Sequence, residues 1–323
     1  MRSFFHLLAA LLTGALLSSC QKESKSFPLE VRLESQRPLM GTLFRCVTYA
    51  TDLPKARAEM EAAFDLAAEV ERCASDYAKD SELNRLCRHP SGEPVLLTPL
   101  FFDLLQEAQE MAKFTKGAYD PTLGPVTHLW RQTRRKGELP EAAELARALT
   151  RCGYQFLTLD PEKQTATLEK EGMQLDLGGI AKGYAADLIY RHLADAGFPR
   201  TMVAAGGDLR LGHPPVGKEG WTTALRTNSQ APGPPLLLSH CAVSTSGDLY
   251  QSIKIGEISY SHLIDPATGL GLTRKVSASV VAPLARFSDP LATAACLMPP
   301  SEAESFFKKL PDHQLYLHME ASE

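Results

Sequence analysis

LDLGGIAKGYAAD, residues 175–187, sets the apolar pair Leu175 and Leu177 ahead of two adjacent glycines, a lysine and an amphipathic run. The pattern predicts a strand, a tight glycine turn and a helix over about residues 180–196. Such a junction suits an anion: glycine lets the backbone approach closely, and the first helical turn offers N–H groups without intrahelical partners. Neither common phosphate motif fits. Lys182 is followed by Gly183 and Tyr184, where a Walker A loop needs Ser or Thr, and a GxGxxG reading from Gly178 needs glycine at Ile180. Close packing of Gly178 and Gly179 explains the glycines equally well.

Outward from this turn, helices gather in the first half and strands come in runs. Residues 30–50 alternate as two strands broken at residues 38–41. Residues 55–73 place Met60, Ala63, Phe64, Ala67 and Val70 on one helical face. Thr98 and Pro99 open a helix to Phe114, and Pro140 opens another to Leu149. Residues 154–159 and 165–169 read as a hairpin around Asp160-Pro161. Short strands fill residues 201–282, then helices over 290–298 and 302–310 and a last strand at 314–318. The class is α+β with largely antiparallel sheets, because strands and helices do not alternate regularly. No linker divides the chain.

A net charge of −4 over 323 residues leaves no basic footprint, so nucleic acid is not an expected partner. Arg2 precedes an apolar run, Phe4 to Leu17, that is too short to span a membrane and ends Leu17-Ser18-Ser19-Cys20. This reads as a lipoprotein signal peptide over residues 1–19. Cys20 would be lipidated, a tether would follow to residue 36, and one domain would fill 37–323. The chain is thus expected outside the cytoplasm, membrane-anchored and facing the periplasm. Cys46, Cys73, Cys87, Cys152, Cys241 and Cys296 remain, with no CxxC pair to suggest zinc or thioredoxin-type chemistry. Most read as small buried apolar residues.

Several short motifs are ambiguous one at a time. Asp120-Pro121 and Asp265-Pro266, each closed by glycine, read as turns in which aspartate bonds its own backbone. Asp289 before Pro290 reads as a helix N-cap, although Thr293 stands one helical turn on, and the two oxygens would also suit Mg²⁺. His262 alternates with apolar neighbours three residues before Asp265, as a structural histidine would.

Their order carries more. Met40-Gly41-Thr42, Ser75-x-Tyr77, Gly117-x-Tyr119-Asp120-Pro121-Thr122, the glycine turn, Gly206-Gly207-Asp208, Ser244-Thr245-Ser246-Gly247, Ser261-His262 with Asp265-Pro266, and Asp289-x-x-Ala292-Thr293 follow one another. From Arg37 to Met298 this run resembles the ApbE family of flavin transferases. The resemblance implies a T-fold-like α+β fold with FAD in a cleft between two parts of one chain. It also implies Mg²⁺-dependent transfer of FMN from FAD to a Thr or Ser of a partner protein, such as a subunit of a membrane redox pump, with release of AMP. By similarity, Met40, Tyr77, Ala118, Tyr119, Asp120, Asp176, Lys182 and Leu263 contact FAD. Gly179 and Ala292 (through their carbonyls), Asp289 and Thr293 hold the metal, and His262 and Asp289 are catalytic. Pro290 departs from the family's usual alanine or glycine and is expected to shift the helix start beneath Asp289. An FAD pyrophosphatase and a flavin-holding lipoprotein without turnover are the alternatives.

Overall fold

Alternating residues make the first two strands, β1 (Val31–Leu39) and β2 (Thr42–Ala50), and the turn between them is only Met40-Gly41, both at positive φ. The computed structural model describes residues 29–225, 235–247 and 252–319. The expected leader, Cys20 and most of the expected tether lie outside the described residues. Strand β1 begins ahead of the boundary placed at Arg37, because it pairs with β2 along its whole length, from Val31 opposite Ala50.

The chain continues through α1 (Leu53–Ala74), α2 (Glu82–Arg88), β3 (Val95–Leu96), α3 (Pro99–Phe114), α4 (Gly124–Lys136) and α5 (Ala142–Leu149). Next come β4 (Leu157–Asp160), β5 (Thr165–Leu168), α6 (Ala181–Asp195), β6 (Thr201–Ala205), β7 (Asp208–Leu211), β8 (Trp221–Ala224) and β9 (Pro235–Leu238). The last elements are β10 (Cys241–Gly247), β11 (Ser252–Ile255), β12 (Ile258–Ser261), β13 (Val276–Ala282), α7 (Ala285–Leu297), α8 (Pro300–Phe307) and β14 (Gln314–Met319).

Strands β1-β2-β6-β7-β10-β13-β14 form one sheet of seven, with every neighbouring pair antiparallel. Helices α1, α6 and α7 pack side by side against it, and Phe44, Phe64, Tyr184, Ile189, Val280 and Leu291 lie in the resulting core. On the other face Val47, Leu211 and Val243 pack with Trp221 of the β8–β9 ribbon. A smaller cluster joins Val126, Leu129 and Trp130 of α4, Leu145 and Ala148 of α5, and Tyr260 and Ile264. Its formation depends on a helix that was not legible. Gly124-Pro125 looks like the end of a turn, but proline is well tolerated in the first helical turn, and α4 starts there.

Three further expectations change. Residues before the glycine turn form no sheet strand: Leu175 N–H goes to Cys87 Sγ at 3.3 Å and Asp176 N–H to the Pro121 carbonyl at 2.8 Å. Only an isolated bridge, Leu123 to Gln174, remains there. Helix α5 begins at Ala142, not at Pro140. Helix α7 begins at Ala285, so Asp289 lies beyond the first helical turn and is not its N-cap, while Pro290 sits inside the helix. The capping is done from another element: Asp187 of α6 accepts from the N–H groups of Ala285 (3.1 Å) and Arg286 (3.0 Å).

Candidate active site

Helices α6 and α7 cross where Gly183 has no side chain. A Cβ there would stand 2.2 Å from the Ala285 carbonyl oxygen, so only glycine permits the approach. The contact brings the first turn of α6 against the first turn of α7. Lys182 then points its Nζ between two carboxylates, 3.0 Å from Asp289 Oδ2 and 3.2 Å from Asp208 Oδ2, and 3.2 Å from the Gly178 carbonyl. Asp208 follows the turn between β6 and β7; it is 3% exposed and Asp289 is 5% exposed.

The charges explain each other. Burial alone would lower the Lys182 ammonium, but Asp208 and Asp289 outweigh it and raise it. Burial, then the nearby Asp208, lift the Asp289 carboxyl to about 7, against the pull of Lys182 and the Gly183 N–H. The helix N-terminus thus addresses an acid of the protein itself. Asp208 Oδ2 is buried and makes no hydrogen bond, only the ion contact with Lys182.

Thr293 lies one turn beyond Asp289, and its hydroxyl is fixed by Ser246 Oγ of β10 at 3.0 Å. Ser244 fixes Ser288 in the same way, at 2.7 Å. A Cβ on Gly179 would come 3.2 Å from the Tyr119 ring and 3.9 Å from Thr293 Oγ1, so the bare Gly179 backbone faces that hydroxyl. Among the described residues no group of three or more His, Cys, Asp or Glu side chains forms a metal cluster. The oxygen set that does form is a carboxylate, a hydroxyl and nearby backbone. Such hard donors fit Mg²⁺, which demands few protein carboxylates and keeps several waters. Asp208, buried and paired with Lys182, adds negative charge beside it.

The other residues singled out in the sequence fall into two groups. Tyr119 is 5% exposed, and its buried hydroxyl has no hydrogen-bond partner; burial, then Asp289 and Asp176, raise its pKa well above 10.0. Asp176 accepts from Gly178 N–H at 2.9 Å and stands 3.6 Å from Arg131. Met40 sits in the β1–β2 turn with its N–H on Glu71 Oε1, 2.9 Å away, and Tyr77 is 77% exposed under Arg131. Ala292 is fully buried in α7.

Asp120 behaves as the turn reading had it. One oxygen accepts from the N–H (2.8 Å) and hydroxyl (2.6 Å) of Thr122 and the other from Tyr154 N–H at 3.1 Å. Ala118 and Asp120, with Gly153, Asp265, Pro266 and Met298, line a cavity of about 490 Å³. His262 is half-buried one residue past the end of β12, not within the strand, and Leu263 beside it is buried. Their segment leads directly into the Asp265 wall of that cavity.

Sequence reading missed Asp208, Arg131, Asp187 and Ser246 as site residues. Asp208 and Ser246 stood in recognised motifs, yet nothing local showed that they face Lys182 and Thr293. Arg131 and Asp187 carried no signal at all.

Comparison with known proteins identifies the family. The family model described as "ApbE family" matches residues 40–317. The FAD:protein FMN transferase of Haemophilus influenzae is 31% identical over 293 residues, covering 86% of this chain and 82% of that protein. That of Vibrio cholerae is also 31% identical, covering 92% and 88%. Among solved structures, the ApbE protein of Thermotoga maritima aligns with a TM-score of 0.81 at 28% identity, covering 89% of this chain and 94% of that one. The flavin transferase ApbE of Vibrio cholerae gives 0.78 at 26% identity, covering 90% and 97%. With a buried lysine–carboxylate centre at the glycine turn, an antiparallel sheet under three helices and matches over nearly its whole length, the chain belongs to the ApbE family.

Proposed function

We propose that this protein transfers the FMN half of FAD to a threonine or serine hydroxyl of a partner protein, with release of AMP. The observation that carries the reading is the centre built on α6 and α7, where Lys182, Asp289 and Thr293 converge beside the bare Gly179 backbone. The names of its 31% identical relatives support the same chemistry.

The reaction is a phosphoryl-type displacement. The acceptor oxygen bonds to the FMN phosphorus, the bridging P–O bond of the pyrophosphate breaks, and AMP leaves with the electron pair. The hydroxyl proton goes to His262, since an imidazole is the side chain best suited to take a proton near neutral pH. Asp289, Thr293 and the carbonyls of Gly179 and Ala292 would hold Mg²⁺. When bound, the ion supplies positive charge that offsets the pyrophosphate oxygens. Lys182 adds a fixed cation beside Asp289, and Asp208 keeps that cation from pairing with Asp289 alone. Tyr77, Tyr119, Asp176 and the Ala118–Asp120 turn form the FAD cleft. The acceptor is an exported protein such as a subunit of a membrane redox pump, and Cys20 carries the lipid that places the enzyme at the membrane, facing the periplasm. No described helix is long and apolar enough to cross a membrane.

Intact-mass spectrometry tests the reading. A candidate acceptor incubated with the protein, FAD and Mg²⁺ should gain the mass of one FMN less one water, and AMP should appear in equal amount. Release of free FMN and AMP with an unmodified acceptor, across several acceptors, would make the protein a hydrolase instead.

A further inference from the structure

Tyr77 is a large ring left 77% exposed, yet its segment is tied down. Ser75 Oγ accepts from the N–H groups of Tyr77 (3.3 Å) and Ala78 (3.1 Å). The Asn84 amide donates to the carbonyls of Ser75 (3.3 Å), Asp76 (3.1 Å) and Ala78 (2.9 Å). Arg131 of α4 then lies over one face of the ring, its guanidinium carbon 4.2 Å from the centroid. The same guanidinium is ion-paired with Asp76 and stands 3.6 Å from Asp176. One side chain therefore links the Tyr77 segment, α4 and the glycine turn.

A solvated surface tyrosine needs none of this. Holding an aromatic ring at one angle costs rotamer entropy, and leaving its face in water forfeits burial. The arrangement makes sense as a platform whose second face is reserved for a flat partner.

We propose that Arg131 is a positioning residue that fixes the Tyr77 ring as one wall for the isoalloxazine of FAD. The proposal rests on the functional reading above and adds the residue that organises the flavin end of the cleft. A planar guanidinium suits the role because it stacks on the ring and reaches two carboxylates at once; a lysine at 131 keeps the charge and loses the flat contact.

Titrations of FAD, FMN and AMP into wild type, Arg131→Ala and Arg131→Lys, followed by calorimetry and flavin fluorescence, test it. Arg131→Ala should raise the Kd for FAD and FMN about three- to thirty-fold and leave AMP binding unchanged. Unchanged AMP binding also shows that the variant is folded. Arg131→Lys should not restore flavin affinity, and the saturated variants should fluoresce more than wild type, because a loosened tyrosine quenches less. Adding Arg131→Ala to Tyr77→Ala should cost no more than Tyr77→Ala alone. Equal weakening of FAD and AMP would overturn the proposal, since Arg131 would then act as a general charge. So would unchanged FAD binding in Arg131→Ala, which leaves the functional reading standing. A wild-type protein that binds no FAD would remove that reading and this proposal together.

Discussion

Asp289 is the residue on which the chemistry turns. It lies four residues after Ala285, so its carboxylate is not needed by the free N–H groups at the start of α7, which Asp187 serves instead. What it touches is Lys182. Asp289→Asn keeps the shape and removes a charge whose burial the protein already resists, and Lys182 retains Asp208 as its partner. Unfolding without metal should therefore stay cooperative, with a midpoint close to wild type. Mg²⁺ affinity measured by calorimetry should fall at least about tenfold, as it does when the electrostatics of a metal ligand are disturbed, and transfer should recover partly at high Mg²⁺. An Asn variant with wild-type Mg²⁺ affinity would take Asp289 out of the metal set. At this scale the sequence singled out Asp289, Lys182 and Thr293, and the structure sets Lys182 Nζ 3.0 Å from Asp289 Oδ2. The sequence could not name Asp208, whose relation to Lys182 exists only once β7 lies beside α6.

Elements decide where these side chains stand, and α7 is the critical one. Its N-terminus is held by both oxygens of Asp187, which also meet Arg210 Nε at 3.0 Å and Arg286 Nε at 3.2 Å. Asp187 is 4% exposed. Asp187→Asn would leave two partly buried guanidinium groups facing a neutral amide, although Arg286 keeps Glu107 at 3.2 Å. Removing one partner of a buried charge network costs about 3–5 kcal/mol, and the lower end is expected here. Urea unfolding read by circular dichroism should show the loss; a change under ~1 kcal/mol would mean that helix packing alone holds α7. The same element shows why the N-cap reading of Asp289 failed. Asp-Pro is a strong local start signal, but the chain enters the helix five residues earlier, where Ala285 lies against Gly183 and Asp187 offers the cap. Tertiary contact overrode a local preference.

Over the whole molecule, stability depends on how each carboxylate is placed. Glu34 on β1 bonds Arg45 of β2 and Arg32, which hold its carboxyl down from its ordinary 4.5 to about 2. Asp76, Glu107 and Asp120 shift the other way, first through burial. The signs follow from proton counting. Glu34 binds its proton more readily when unfolded, so its contribution is complete above pH 4.5 and is lost as pH falls toward 2. The raised group favours the folded state increasingly as pH drops toward the unfolded carboxylate values. Glu34→Gln should thus cost less than ~1 kcal/mol at pH 7, since the pair is partly solvated, and the gap to wild type should close between pH 4.5 and 2. A gap constant across that range, in denaturant titrations at several pH values, would show that Glu34 acts through packing.

The sequence by itself determined the α+β class, the β1–β2 and β4–β5 hairpins, the amphipathic face of α1, the Thr98-Pro99 start of α3 and the ordered motifs that mark the family. Those features are local: a period of two or of 3.6, a cap, a turn residue or a short run can be read without knowing what lies opposite. Only the tertiary structure decided that residues before Gly178 form no sheet strand, that α4 exists and carries Arg131 to Tyr77, and that α7 starts at Ala285. It alone placed Asp208 and Asp289 on either side of Lys182. Each of these is settled by a contact between residues far apart in the chain, and the energy of such a contact depends on burial and distance that no local pattern encodes.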